Sequence, residues 1–98
     1  MKDRKITKAL EKLTVYELNS FRKFLLSPYF NQNEAFVIFF DMLNEAKRTG
    51  KDPGQIESRD VWARIYGAES PYNDVKFRKL SSDLFALFEE FITQKELD

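Results

Sequence analysis

The chain has 98 residues with sixteen cations balanced by sixteen anions, and it contains neither cysteine nor histidine. That length makes one domain with a single core, and the missing residues exclude disulfides, thiolate metal sites and thiol or imidazole catalysis. At 43% hydrophobic and 15% aromatic, the sequence is a folding one rather than a disordered one.

The first helix is expected from about 5 to 13, carried by Ile6, Ala9, Leu10 and Leu13 at helical spacing. The start, Met-Lys-Asp-Arg-Lys, has no apolar stretch after its basic residues and is not expected to act as a secretory leader. Thr14 and Glu17 then form a threonine-x-x-glutamate capping box, with Leu13 and Leu18 placed to staple it. The second helix is expected over 15–26, burying Leu18, Phe21 and Leu25, with Pro28 ending it.

Asn31 and Glu34 repeat the capping spacing for a third helix over 32–49, closed by Gly50. Phe36, Val37, Ile38, Phe39, Phe40, Met42 and Leu43 make it apolar on nearly every side. Such a helix is the centre of a bundle, or else leaves one side as a dimer or partner face. Residues 50–57 read as the one sizeable loop. Ser58 is expected to cap a short fourth helix, 59–66, with Val61, Trp62, Ile65 and Tyr66 inward and Gly67 closing it. The fifth helix, 74–95, carries one stripe of Phe77, Leu80, Leu84, Leu87, Phe88 and Phe91, flanked by Phe85 and Ile92. No stretch alternates with period two, so no sheet is expected. The fold class is therefore all-α, a compact bundle of about five helices in a single domain over 1–98, with the third and fifth at its centre.

Two strings recur. Phe21-Arg22-Lys23-Phe24 leads to Ser27-Pro28-Tyr29-Phe30-Asn31, and Ser70-Pro71-Tyr72-Asn73 leads to Phe77-Arg78-Lys79-Leu80. They mark either two related helical hairpins or the ordinary chemistry of stopping one helix and capping the next. Arg22 lies at the margin of its helix's apolar face, where a guanidinium snorkels, pairs with a carboxylate, or is held for phosphate or a partner. Lys76, Arg78 and Lys79 lie near the start of the fifth helix while Glu89, Glu90 and Glu96 lie toward its end, against the helix dipole. Residues 1–30 hold seven cations against three anions, so a mild charge asymmetry runs along the chain.

These features give a candidate interaction surface of Arg22, Lys23, Tyr29, Tyr72, Asn73, Lys76, Arg78 and Lys79. No paired acid–base constellation, phosphate-cradling glycine loop or calcium loop is found, so no catalytic residue, metal or cofactor is expected. The expected role is non-enzymatic: a module recognising protein, either another chain or itself, in the cytoplasm, with no membrane or small-molecule substrate evident. The rival reading is nucleic-acid binding. Residues 58–95 form a helix-turn-helix-like half whose second helix would read with Asn73, Lys76, Arg78, Lys79 and Ser82. That stretch also resembles the last part of winged-helix activator domains, although no strands follow to form a wing.

The string Leu13-Thr14-x-x-Glu17-Leu18-x-x-Phe21-Arg22-Lys23-Phe24-Leu25-x-Ser27-Pro28-Tyr29-Phe30-Asn31, followed by Pro71-Tyr72-Asn73-Asp74 and Ser82-Asp83-Leu84, carries a further likeness. It resembles the amino-terminal segment of a family of large, mostly helical, uncharacterised bacterial proteins, over roughly residues 5–95. The resemblance implies an N-terminal module of a longer polypeptide and no particular activity.

Overall fold

A computed structural model describes residues 4–27 and 34–97, and the side chains of 4–27 and 34–94. Five helices follow one another: α1 (Lys5–Glu11), α2 (Val15–Leu26), α3 (Glu34–Arg48), α4 (Ser58–Tyr66) and α5 (Asp74–Leu97). A short 3-10 turn, Pro53–Gln55, lies between α3 and α4. The protein is an all-α bundle, with no strand among the described residues. The Asn31 cap and the first two residues expected of the third helix fall outside the described residues.

Local chemistry sets the ends of these helices. The Thr14 hydroxyl accepts from the Glu17 amide at 3.2 Å, and the Glu17 carboxylate accepts from the Thr14 amide at 3.0 Å. This reciprocal box starts α2 where the sequence places it. Asn73 does the same for α5, its side-chain oxygen accepting from the Lys76 amide at 3.0 Å. At the end of α3, Lys51 donates to the Ala46 carbonyl and Gly50 to the Lys47 carbonyl, with Gly50 at φ 80°. That is a Schellman closure, which needs a left-handed residue at Gly50. Helix α4 departs from expectation by starting at Ser58, one residue early. Its N-cap is Glu57, which makes no side-chain capping bond.

Helix α1 is also shorter than its apolar spacing implies, ending at Glu11 rather than residue 13. The Lys12 and Leu13 amides turn back to Ala9 and Leu10 ahead of the Thr14 cap, and an ammonium from another helix seals this end. Lys47 Nζ donates to the carbonyls of Leu10 (3.0 Å), Glu11 (3.0 Å) and Leu13 (2.5 Å). A cation thus sits at the negative end of the α1 dipole, bonding the Glu11 and Leu13 carbonyls and sharing the Leu10 carbonyl with the Leu13 amide. Thr7, absent from the expected apolar stripe, is wholly buried, because α1 packs against both α3 and α5.

The core is a connected set of rings. Phe21, with no exposed surface, lies 5.4 Å from Phe40 of α3 and 5.4 Å and 5.3 Å from Phe88 and Phe91 of α5. The two long helices, α3 and α5, also meet directly where Phe39 stacks on Phe77 at 5.3 Å. Helices α1 and α2 each pack on both α3 and α5, so the two long helices are joined largely through the shorter pair. Helix α4 packs on α3, while α5 packs on α1 and α2. On α4, Val61 and Trp62 are buried, but Tyr66 is 37% exposed rather than inward, because it is the last residue of the helix at the rim of the core.

Two substitutions test this packing. Phe21→Ala removes a ring shared by three helices and is expected to cost about 3–5 kcal/mol in denaturant unfolding, a large part of a small domain's stability. Lys47→Met keeps the aliphatic stem but removes the donor to three carbonyls at the end of α1. A loss of about 2 kcal/mol is expected, against little change for the exposed control Lys51→Met.

Candidate interaction surface

The two arginine–lysine doublets have different settings. Arg22 Nε and Nη2 donate to the two carboxylate oxygens of Asp41 on α3, at 2.8 and 3.0 Å. This bidentate pair is half-exposed, both side chains at 41%. The hydrogen bonds to Asp41, then its charge, raise the Arg22 pKa above its ordinary value, against a small opposing effect of burial. The guanidinium is therefore charged at any workable pH. Its stabilising contribution is present below the normal arginine pKa and is lost only as pH rises through the raised folded value. Of the alternatives for Arg22, the structure shows the carboxylate pairing. Lys23 beside it is exposed. Tyr29 lies outside the described residues.

The second doublet is paired within its own helix. Arg78 Nε lies 2.8 Å from Asp74 Oδ2, and Lys79 Nζ 2.9 Å from Asp83 Oδ2, each one turn along α5. Two of the three early cations of α5 thus have an acid one turn away. Both cations stay open to solvent, at 70% and 77% exposed, so their pairs are weak in water. Phe21 meets Phe88 and Phe91, and Phe88 lies ten residues beyond Arg78. The doublets therefore sit roughly 15 Å or more apart along α5. They do not form one basic surface.

What the structure does bring together is the corner of α4 and α5. Trp62 lies 4.3 Å from Tyr66 and 5.6 Å from Tyr72, and Tyr72 lies 6.1 Å from Phe77. Lys76 Nζ is 4.6 Å from the Tyr66 ring and 5.7 Å from Trp62, and the Arg59 guanidinium is 4.8 Å from the Tyr72 ring. These are cation–π distances. Trp62 Nε1 donates to the Ser70 carbonyl at 3.1 Å, and the Tyr72 hydroxyl donates to Asp74 at 3.0 Å. Asn73 is used as the helix cap. Val75, the neighbour of Lys76 in the chain, is 76% exposed. Tyr72 and Asn73 thus build the corner, while Tyr66, Val75, Lys76, Arg78 and Lys79 present it. Sequence reasoning missed Arg59 and took Tyr66 for core, while Trp62, expected inward, is buried and meets the corner from beneath. Their spacing at i, i+3 and i+7 on one helix face was the available signal.

No helix among the described residues is long and apolar enough to cross a membrane. Nor does any group of three or more acidic side chains among them stand ready to hold a metal ion. Comparison with protein-family models, with curated proteins and with solved structures gives no match, so the family resemblance rests on the residue strings alone.

The ion pairs rank by geometry. A double-mutant cycle on Arg22 and Asp41 is expected to give a coupling of about 0.5–1 kcal/mol. The same cycle on Arg78 and Asp74 is expected to give only about 0.3 kcal/mol, lost in high salt.

Proposed function

We propose that this domain is a non-enzymatic interaction module that binds protein, another chain or a second copy, through the α4–α5 corner. The observation that carries the reading is the cluster of Arg59, Trp62, Tyr66 and Lys76 beside the exposed Val75. Arginine, tryptophan and tyrosine are the side chains that most often dominate protein interfaces. Here the rings are already held by Ser70, Asp74 and each other, so docking would cost little ordering entropy. Arg78 and Lys79 extend the corner with cations able to exchange their weak internal partners for a carboxylate on another chain. As part of the same reading, we take the module to be the amino-terminal part of a large helical bacterial polypeptide working in the cytoplasm; its support is the likeness of the residue strings.

The rival is a helix-turn-helix-like domain whose α5 start meets nucleic acid. Its support is the outward set Lys76, Arg78 and Lys79; against it stand the zero net charge and the existing partners of all three cations.

Sedimentation over a wide concentration range, together with affinity capture, tests the proposal on the wild type and on a Tyr66→Ser, Val75→Asp variant. A heavier species or a retained partner in the wild type, lost in the variant, is the expected result. A monomer with identical captures in both would sink the reading. So would tight oligonucleotide binding, measured by anisotropy, that weakens steeply with salt and disappears in Arg78→Glu, Lys79→Glu.

A further inference from the structure

The outward side of α5 holds a pattern that packing within the domain does not use. Val75, Lys79, Ser82, Ala86, Glu89 and Thr93 are exposed, and they stand alternately four and three residues apart. At 3.6 residues per turn they form one stripe along the helix, opposite the buried Phe77, Leu80, Leu84 and Phe91. That spacing is the one by which two helices pair side by side. The charges on and beside the stripe are arranged evenly about residue 84. Lys79 and Glu89 are each five positions from it, and Arg78 and Glu90 each six. The small Ser82 and Ala86 are each two positions away. Arg78 shares one side of the stripe with Glu89, and Lys79 shares the other with Glu90.

An antiparallel copy of α5 laid on this stripe, with a two-fold axis at residue 84, sets each arginine–lysine doublet against a glutamate doublet. Arg78 falls opposite Glu89 and Lys79 opposite Glu90, and each contact is made twice. Ser82 and Ala86 lie at the crossing, where short side chains let the helix axes come close. A parallel copy in register would set like charges together. Arg78 and Lys79 hold only exposed, weak partners within the chain. Among the described residues neither Glu89 nor Glu90 is ion-paired. We propose that this face of α5 binds the same face of a second copy of the chain, as an antiparallel two-fold dimer. Such a contact requires a patch complementary to itself, which the arrangement about residue 84 supplies. This dimer is one form of the protein-binding module read above and rests on that reading. Its face shares Val75, Arg78 and Lys79 with the α4–α5 corner, while Glu89 and Glu90 lie beyond it. Exposed ion pairs make the dimer loose and sensitive to salt.

Sedimentation of the whole chain between about 10 µM and 1 mM, at low and high salt, tests this. A dimer is expected whose dissociation constant rises about tenfold or more between roughly 50 mM and 500 mM salt. Glu89→Lys with Glu90→Lys, and separately Arg78→Glu with Lys79→Glu, should each weaken it about tenfold or more. All four substitutions together should restore it, since each exchanged charge again faces its opposite. These four side chains are exposed, so the variants keep the fold. A wild type that stays monomeric throughout overturns the proposal, yet leaves the corner free to bind another protein. A dimer lost in Tyr66→Ser but unmoved by Glu89→Lys with Glu90→Lys puts the contact at the corner and overturns it as well. So does a dimer that withstands both double variants, or a fourfold variant that stays monomeric.

Discussion

The ring of Phe21 leaves α2 with no exposed surface and meets one ring of α3 and two of α5, all within 5.4 Å. Aromatic pairs at this spacing add edge-to-face attraction to a large burial of apolar area. Phe21 thereby ties α2 to both long helices at once, with Leu18, Phe24 and Leu25 buried around it. Phe39 on Phe77 then makes the second tie, at the other end of α5. With these contacts in place, the start of α5 is held beside α4, and the surface corner follows.

Charge serves architecture here more than its even balance suggests. Lys47 seals the end of α1, Arg22 fastens α2 to α3 through Asp41, and Lys76 caps the aromatic group of α4. The partners differ in kind: carbonyls at a helix end, a carboxylate on a neighbouring helix, and the face of a tyrosine. The interactions differ in worth. Donation to backbone carbonyls at a helix terminus fixes a chain end, whereas the exposed Arg78 and Lys79 pairs on α5 are loosely held and open to exchange.

The proposed protein contact at the α4–α5 corner draws on rings and cations that are already held in place by Ser70, Asp74 and each other.

Helix number, the Thr14–Glu17 box, the Asn73 cap and the closure at Gly50 were legible in the sequence, because each depends on residues within a few positions of one another. The rings that form the core were legible too, since a period near 3.6 is a local property. Other features were not. Nothing in the spacing of α1 announced that Lys47, thirty-six residues beyond Glu11, would seal its end. The twin strings looked alike, yet Arg22 reaches across to another helix while Arg78 pairs along its own. Only packing decides which distant carboxylate, carbonyl or ring a long cationic side chain meets, because its reach spans several positions and its choice depends on which helix faces lie opposite. The chain by itself therefore determined the helices and their apolar stripes; tertiary structure alone determined the partners of its charges, and with them the corner.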